Sequence, residues 1–303
     1  MSTEESRILF YTYILEMVVR LIRKAVIPAA GLGTRLLPMT KETPKEMLPI
    51  VVNRDNGTVC LKPMLQAVFE QLYSEGFREF AFIVGRGKRA IEDYFSPDYN
   101  FVEYLKRKNK NQSALELEEF YEKIKNSTIV FVNQPAPSGF GDAVHRAAIF
   151  TQNEPFLLHA GDDLIISQNN NHIKRLIQAF KDYEADAVFL IEDVQTPQNY
   201  GVIKGKEISP NIFKVTEVIE KPKKPPSRMA IVATYIFKPI IHKALEKIKP
   251  DENGEIQLTD AIQLMINWQC NVYAVKLRDD EKRIDIGTAE NYIKTLKTMV
   301  RFL

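Results

Sequence analysis

The sequence predicts an α/β fold, a single domain built on a mostly parallel mixed sheet with inserted antiparallel strands. The first observation is a strand–turn–helix–strand unit: residues 24–30 (KAVIPAA) and 79–84 (EFAFIV) are apolar strands, and residues 61–75 carry apolar side chains at helical spacing. Strands joined through a helix pair in parallel. The second is residues 200–220, where short strand-like runs alternate with turns. Such runs are typical of antiparallel pieces.

The remaining elements follow from apolar runs for strands and from amphipathic spacing for helices. The predicted strands are residues 129–133, 156–159, 187–191, 230–237 and 272–276, and the predicted helices are residues 103–126, a helix that starts near Asp142, 173–183, 239–249, 258–267 and 288–301. No internal repeat divides the chain. We therefore expect one domain over residues 22–303, preceded by an N-terminal extension, residues 1–21, with Met17 as an alternative start.

Composition restricts the classes of function. The 303 residues are 45% hydrophobic and 26% charged, with a net charge of +2, whereas a nucleic-acid binder would carry a larger basic excess. Cys60 and Cys270 have no CxxC partner, which argues against a zinc site and against a disulfide framework. No apolar run is long enough to span a bilayer, and residues 8–22 lack the features of a signal peptide. We therefore expect a cytoplasmic protein that binds neither nucleic acid nor membranes.

A glycine turn follows the first strand and leads into a basic segment. Gly31 and Gly33 let the backbone approach a ligand, so that N–H groups can face phosphate oxygens. Arg35 offers a planar fork for phosphate, and Lys45 adds a point charge. Each residue alone is equally well explained by a solvated basic loop, but the set after a buried strand is not. An NAD-dependent oxidoreductase is disfavoured, because a dinucleotide-binding turn would have a third glycine where Leu36 stands.

This segment resembles the signature of a known family. Residues 25–49 read AVIPAAGLGTRLLPMTKETPKEMLP, which is similar to the N-terminal signature of bacterial and archaeal UTP–glucose-1-phosphate uridylyltransferases. QPAPSGFGDAV, GDDLI, NYGVI, EKP, GEIQLTDAI and DIGT follow in the order of that family, so the resemblance covers about residues 22–300. It implies a Rossmann-like three-layer α/β/α nucleotidyltransferase fold. It also implies Mg²⁺-assisted transfer of a uridylyl group from UTP to glucose 1-phosphate, with release of pyrophosphate.

The resemblance carries the nucleotide-binding and catalytic roles onto individual residues. It implies that Ala30, Gly31, Gly33, Gln134 and Gly139 bind the nucleotide, and that Arg35, Lys45 and Lys221 are catalytic. Arg35 and Lys45 would hold the triphosphate, and Lys221 would contact the phosphate of the sugar. An amide side chain donates and accepts at once, so Gln134 suits the carbonyl and N–H pattern of uracil.

The resemblance also implies that Asp162 and Asp285 hold the metal and that Gly201 and Glu220 bind the sugar. Asp162 ends a strand, where open α/β sheets place their ligand groups, and a small hard cation prefers carboxylate and phosphate oxygens. Alternation along an extended segment would turn the neighbouring Asp163 the other way, so Asp163 is held in reserve.

Three features of the later motifs are not carried over. Asp142 stands where bacterial relatives usually have histidine, so the fine detail of the contacts near the base is not carried over from the family. Residues 233–234, alanine and threonine, stand where many relatives have glycine and arginine, and sugar contacts there are left open. In GEIQLTDAI, Glu255 and Asp260 resemble catalytic acids, but we expect a helix start with Thr259 and Asp260 near the cap.

Two other functions stay open at this point. A thymidylyltransferase or a relaxed enzyme fits, because rejection of one methyl group is worth only about 1–3 kcal/mol. A non-catalytic nucleotide-sugar sensor would be expected to lose the metal carboxylates or Lys45, whereas this chain retains Asp162, Asp285 and Lys45. Relatives are often dimers or tetramers, so we expect a homo-oligomer. The apolar stripe of the last helix, with Ile293 and Met299, is equally well explained as an interface or as core.

Overall fold

The centre of the molecule is a mixed β-sheet. The computed structural model describes residues 22–54 and 57–300, the latter without the side chain of Val300, so the predicted extension over residues 1–21 and Met17 lies outside the described residues. The strands in chain order are β1 Lys24–Pro28, β2 Pro49–Asn53, β3 Val59–Pro63, β4 Glu79–Val84, β5 Thr128–Asn133, β6 Phe156–His159, β7 Asp163–Ile166, β8 Ala187–Asp193, β9 Val202–Ser209, β10 Ile212–Ile219, β11 Met229–Phe237, β12 Val272–Lys276 and β13 Lys282–Asp285.

Helices connect and cover these strands. They are, in chain order, α1 Met64–Ser74, α2 Arg89–Tyr94, α3 Tyr99–Arg107, α4 Asn111–Lys125, α5 Phe140–Arg146, α6 Ala148–Thr151, α7 Asn171–Asp182, α8 Ile240–Leu245, α9 Leu258–Asn267 and α10 Ala289–Val300. Over the ranges that the structure describes, no helix is both long enough and apolar enough to cross a membrane.

The sheet combines a parallel half with an antiparallel half. Its order is β5-β4-β1-β6-β11-β8-β12-β10-β9. The strands β5, β4, β1 and β6 run parallel to one another, and β12 runs parallel to β8. By contrast, β11 is antiparallel to both of its neighbours, and β9 and β10 form an antiparallel hairpin at the far edge. The prediction of a parallel sheet with antiparallel insertions is confirmed.

Alternation along the strands sends side chains into two separate cores. In β1, Ala25 and Ile27 pack in the core that also contains Phe69 of α1, whereas Val26 packs in the core that contains Val144 of α5. The first core also takes residues from α3, α4, α7 and α10, and the second takes residues from α8 and α9. The sheet therefore lies between two helical layers, which confirms the predicted three-layer arrangement. Burying one large apolar side chain stabilises the fold by roughly 1.5–3 kcal/mol.

Some element predictions were wrong. The predicted helix over residues 61–75 begins only at Met64, because residues 59–63 pair with β2 as a hairpin. The predicted helix over residues 103–126 is divided between α3 and α4 by a turn in which Asn109 has a φ of +58°. The pair β7 and β13 was not predicted. The strand β13 reads KRID, with three charged residues, and β7 begins only four residues after the end of β6, so neither has the isolated apolar run that identified the equally short β6.

The parallel strands end at one edge of the sheet and position the functional loops there. Where β4 and β5 end, the N–H of Gln134 donates to the carbonyl of Val84 at 2.7 Å. Where β1 and β6 end, the N–H of Gly161 donates to the carbonyl of Pro28 at 3.1 Å. The loops that follow β1, β5 and β6 therefore leave the sheet side by side, the arrangement in which open α/β sheets bind ligands.

The two apolar positions on the last helix have different environments. Met299 is buried in the first core, whereas Ile293 is 53% exposed. The stripe therefore contributes to the core at one end and reaches the surface at the other.

Cys60 and Cys270 are free thiols.

Three buried histidines predict that the fold loses stability in acid. Burial lowers the pKa of His159 and His242 to about 4 and that of His172 to about 3. In the unfolded chain these groups titrate near 6.5, so as the pH falls the unfolded state takes up protons first. Their contribution to the free energy of unfolding should be complete above pH 6.5 and should decline as the pH falls towards 4.

Urea unfolding at pH 7.5, 6.5 and 5.5 measures this decline in a range above most carboxylate titrations. His242→Gln lacks one of the three groups, so its stability should fall less steeply with pH than that of the wild type. Burial raises the pKa of Asp163 to about 6, which changes stability in the opposite sense over this range, so the two slopes are compared. Equal slopes for His242→Gln and the wild type would contradict the prediction.

Candidate active site

A cavity of about 400 Å³ opens at the carboxyl edge of the parallel strands. Eight of the residues predicted to act at the site line this cavity: Ala30, Gly31, Gly33, Arg35, Lys45, Gln134, Gly139 and Asp162. They come from the loops that follow β1, β5 and β6. The sheet topology therefore brings together residues that lie more than one hundred positions apart in the sequence.

The basic segment after β1 is folded into short turns that present its charges to the cavity. A tight turn over Thr34–Leu36 follows Gly33, and the hydroxyl of Thr40 donates to the carbonyl of Gly33 at 2.7 Å. Arg35 is exposed at the rim. A Cβ atom at Gly287 would lie 3.3 Å from Nη2 of Arg35 and 2.9 Å from Oδ1 of Asp285. The absence of a side chain at position 287 therefore lets the arginine and the aspartate approach the same backbone segment.

Lys45 and Asp162 form an ion pair in the wall of the cavity. Their Nζ and Oδ2 atoms are 2.5 Å apart, and their side chains are only 15% and 18% exposed. Burial alone would raise the pKa of Asp162, but the ammonium of Lys45 more than offsets this, and the pKa lies below its usual value. Burial likewise opposes the charge of Lys45, but Asp162 and Glu46 raise its pKa above the usual value. Both groups are therefore charged at neutral pH.

A second ion pair lies beneath the first. The ammonium of Lys88 donates to Oε2 of Glu46 at 2.9 Å, and the exposed fractions of their side chains are 7% and 1%. Burial raises the pKa of Glu46, and Lys88 and Lys45 oppose that rise. The charges of Lys88, Glu46, Lys45 and Asp162 thus alternate from the interior to the cavity. Our sequence analysis missed Lys88, although its place directly after β4, at the same sheet edge, was a usable signal.

Asp163 and Asp285 lie on the short antiparallel pair β7–β13, and Asp162 directly precedes β7. In this pair Asp285 is directly opposite Asp163, and the N–H of Ile286 donates to the carbonyl of Asp162 at 3.3 Å. Asp163 is turned away from the cavity and binds Nη2 of Arg283 at 2.7 Å, as alternation predicted. The backbones of the two predicted metal ligands, Asp162 and Asp285, are therefore held side by side.

Asp285 is anchored at the start of the last helix. Its Oδ1 accepts from the N–H of Gly287 at 2.7 Å, and its Oδ2 accepts from the amide of Asn291 at 3.1 Å. Among the described residues there is no cluster of three or more histidine, cysteine, aspartate or glutamate side chains arranged around a common point.

The predicted sugar-side residues lie together, but outside the 400 Å³ cavity. Oε1 of Glu220 is 3.2 Å from the ammonium of Lys221, whose side chain is 60% exposed. The N–H of Lys221 donates to the carbonyl of Tyr200, the residue before Gly201, at 3.1 Å. The expected helix start is confirmed, because α9 begins at Leu258 with Thr259 and Asp260 in its first turn, although no side chain caps it. The hydroxyl of Thr259 donates to Oε2 of Glu220 at 3.1 Å.

The loop before α9, which contains Ile256, joins the cavity to the predicted sugar-side residues. The N–H of Ile256 donates to the carbonyl of Ser138, and the carbonyl of Ile256 accepts from the N–H of Gly141, both at 2.8 Å. Gly139 has a φ of +97°, and a Cβ there would lie 2.8 Å from the backbone N and O of Ile256, so only glycine fits. Glu255, which our sequence analysis did not assign to the site, lines the cavity.

Gln134, which the sequence analysis assigns to the base, lines the cavity and has two hydrogen-bond partners. Nε2 of Gln134 donates to Oδ2 of Asp142 at 2.8 Å and to the carbonyl of Gly139 at 3.1 Å. Asp142, where the sequence departs from the family pattern, is thus a direct partner of the predicted base-reading residue. Thr234, at the second departure, is fully buried in the sheet, so its side chain cannot reach a sugar.

Almost all of the chain matches one protein family. The model of the family described as nucleotidyl transferase matches residues 24–301. The chain belongs to the nucleotidyl transferase family. A UTP–glucose-1-phosphate uridylyltransferase 2 from Streptococcus pyogenes is 36% identical over 282 residues, which is 90% of this chain and 89% of that protein.

Solved structures agree with this assignment. A UDP-glucose pyrophosphorylase in complex with UDP-glucose superposes with a TM-score of 0.80 and 32% identity, over 93% of this chain and 100% of that one. A UTP-bound enzyme of the same kind from Acinetobacter baumannii gives a TM-score of 0.79 and 28% identity, over 91% and 93% of the two chains. The family and the fold that the motifs predicted are therefore confirmed.

The buried pair of Lys88 and Glu46 generates a prediction about stability. Lys88→Met would leave the carboxylate of Glu46 buried without its hydrogen-bonded cation, and such a loss typically costs about 3–5 kcal/mol. Urea unfolding of the variant should show a decrease of that size in the free energy of unfolding.

A double-mutant cycle provides the control. Lys88→Met combined with Glu46→Gln removes both charges, so the double variant should recover at least about 1 kcal/mol relative to the sum of the two single changes. Strict additivity would mean that the two side chains do not depend on each other.

Proposed function

We propose that this chain transfers the uridylyl group of UTP to glucose 1-phosphate, forming UDP-glucose and releasing pyrophosphate. The observation that carries the proposal is the cavity in which Arg35, Lys45 and Asp162 meet Gln134 and Gly139. Cations at one end suit a triphosphate, and an amide and a backbone loop at the other suit a base. The names of the relatives from Streptococcus pyogenes and of the solved structures support the same substrates.

The reaction is a direct displacement. An oxygen of the phosphate of glucose 1-phosphate attacks the α-phosphorus of UTP, and the bond from that phosphorus to the pyrophosphate oxygen breaks on the opposite side. Both substrates are anions that repel each other, so positioning them and neutralising their charge account for most of the required rate enhancement. We assign the neutralisation of the triphosphate to Arg35 and Lys45.

The triphosphate would bind next to the ion pair of Lys45 and Asp162 and would compete with Asp162 for the ammonium group. Because both side chains are charged and only partly exposed, each is held in place by the other before substrate binds. A bound triphosphate would offer oxygens to the ammonium of Lys45, which would free Oδ2 of Asp162 for a cation. Glu46, the residue after Lys45, is buried and paired with Lys88, so the backbone next to Lys45 is anchored in the interior.

The residues present fit Mg²⁺. Mg²⁺ prefers oxygen ligands and is commonly held by one or two carboxylates together with substrate phosphates. Asp162 supplies an ionised carboxylate at the cavity, and Asp285 lies on the paired strand beside it. When bound, Mg²⁺ would neutralise charge on the phosphates. Asp162 and Asp285 would hold it.

We assign the sugar to the group beside the cavity. Glu220 would accept hydrogen bonds from sugar hydroxyls through the lone pairs that Thr259 and Lys221 leave available. Lys221 is exposed and lies 3.2 Å from Glu220, so it can turn towards the sugar phosphate without loss of buried contacts. Gly201 leaves space there, since a Cβ at that position would lie 3.0 Å from Oε2 of Glu220.

We also propose that the chain acts in the cytoplasm as a homo-oligomer, a dimer or a tetramer. Two free cysteines suit a reducing compartment, and the exposed Ile293 on α10 offers an apolar contact. Sedimentation of the purified protein would test the oligomeric state.

A matrix of substrates tests the proposed function. UTP, dTTP, CTP and ATP are each combined with glucose 1-phosphate and with other sugar 1-phosphates, with Mg²⁺ or with EDTA, and release of pyrophosphate is measured. We expect the fastest release with UTP, glucose 1-phosphate and Mg²⁺, and none with EDTA. Equal rates with dTTP would indicate a relaxed enzyme, and no release from any pair would favour a sensor.

Removal of one cation on the sugar side generates a prediction about activity. Lys221→Ala should lower kcat/KM at least tenfold, because loss of one charge-assisted contact to the reacting phosphates costs on the order of 2–4 kcal/mol of barrier. The free energy of unfolding should not change, because the side chain is 60% exposed.

Lys223→Ala is the matched control, since it removes an exposed lysine two residues further along the same loop. Its activity should equal that of the wild type. Unchanged turnover in Lys221→Ala would remove Lys221 from the reaction.

A further inference from the structure

We propose that Asp142 determines the base selectivity of the site, because it fixes the amide of Gln134 in the orientation that accepts from uracil and repels cytosine. The inference rests on the proposed function, in which Gln134 meets the base. It concerns the position at which the chain departs from the family pattern, so it is a property of this chain's own residues.

The orientation of the amide follows from its two neighbours. Nε2 of Gln134 lies 2.8 Å from Oδ2 of Asp142 and 3.1 Å from the carbonyl oxygen of Gly139. Both neighbours are oxygens that accept hydrogen bonds, and a carbonyl oxygen can do nothing else. If the amide were turned over, its oxygen would face both of them. The two amide hydrogens are therefore committed to Asp142 and Gly139.

Asp142 is itself held in place as an acceptor. Its side chain is only 7% exposed, and its other oxygen, Oδ1, accepts from Nε of Arg146 at 3.2 Å. Each of its oxygens thus faces a donor, one on Arg146 and one on Gln134. The carboxylate cannot rotate to offer Gln134 anything but an acceptor.

The oxygen of Gln134 is what remains for a ligand. Gln134 lines the cavity, whereas Asp142 does not. Among residues 22–54 and 57–300, Oε1 of Gln134 has no hydrogen-bond partner. The amide therefore presents only an acceptor to a bound base. This restricts our expectation from the sequence, that the amide would both donate to and accept from uracil, to its acceptor, because its donors are already used.

A lone acceptor at this position distinguishes the pyrimidine bases. Uracil and thymine carry an N–H at ring position 3, which can donate to Oε1. Cytosine has an unprotonated nitrogen there, so two acceptors would face each other. A site built around one hydrogen bond rejects an analogue that cannot make it far more strongly than a site that senses only size. Asp142 therefore selects against cytosine, and it leaves uracil and thymine equivalent.

Asp142→Asn is the variant that reverses the orientation. Arg146 would still donate to the amide oxygen of the new side chain, which would turn its NH₂ group towards Gln134. That donor would attract the oxygen of Gln134, whereas the carbonyl of Gly139 would still require its NH₂ group. The amide would therefore occupy both orientations, and in the reversed one its NH₂ group would face the base. We expect the ratio of kcat/KM for UTP to that for CTP to fall at least about tenfold in this variant.

Two features make the measurement decisive. Both nucleotides are tested on the same preparation, so partial unfolding of the variant does not affect the ratio. Calorimetric affinities for UMP and CMP give a second measurement that does not depend on turnover. Arg146→Gln is the matched control: it removes the other partner of Asp142 and leaves the contact with Gln134, so its ratio should stay within about twofold of that of the wild type.

The outcomes separate this inference from the proposed function. If the wild type transfers uridylyl groups and Asp142→Asn keeps the wild-type ratio by both measurements, Asp142 does not set selectivity and the inference is overturned. If the wild type transfers no uridylyl group at all, the proposed function fails. A fall in the ratio for Asp142→Asn, with the control unchanged, supports the inference.

Discussion

The ion pair between Lys45 and Asp162 is the contact on which the arrangement of the site depends. It joins the loop after β1 to the loop after β6 across a separation of 117 residues, with 2.5 Å between the charged atoms. A lysine and an aspartate that are mostly buried would each be costly alone, because removing a charge from water is unfavourable unless a partner compensates it. Each therefore requires the other to be in place, and the two loops are fixed relative to one another before any substrate arrives.

The layer below extends this reasoning into the core. Glu46 is nearly inaccessible and is paired with Lys88, which comes from the loop after β4. Three consecutive strands of the parallel half, β4, β1 and β6, thus each contribute a charge from the loop at their carboxyl end. The alternation of sign, from Lys88 to Asp162, keeps every buried charge next to an opposite one. Such a network maintains its geometry with little reorganisation, which is what electrostatic stabilisation of a transition state needs.

The sequence was sufficient to predict the sheet, most of its helices and eight of the residues that line the cavity. Long apolar strands such as β4 and β12 were predicted to the residue, because their periodicity is unambiguous. The strands β7 and β13 were not predicted, because neither stands out as an isolated apolar run and their pairing joins distant parts of the chain. The glycine turn and its basic segment pointed to phosphate chemistry without any tertiary information.

What escaped prediction was pairing. Nothing in the sequence tells that Lys88 meets Glu46, that Thr259 donates to Glu220, or that Asp142 takes the donors of Gln134. Each of these contacts joins residues from different loops or elements, and each decides what a predicted site residue can still offer to a ligand. Residue types indicate which chemistry is available, but the neighbours of a side chain determine which of its atoms remain free.

The loop at Ile256 connects the two parts of the site through its backbone alone. Its two hydrogen bonds to Ser138 and Gly141 use the backbone N–H and carbonyl, not the side chain. Hydrogen bonds of this kind are indifferent to which amino acid occupies the position, with the exception of proline, which has no N–H to donate. A connection between the two halves of the site can therefore persist while residue 256 changes. Its trace in the sequence is the glycine at position 139, where a Cβ would lie against the backbone of Ile256.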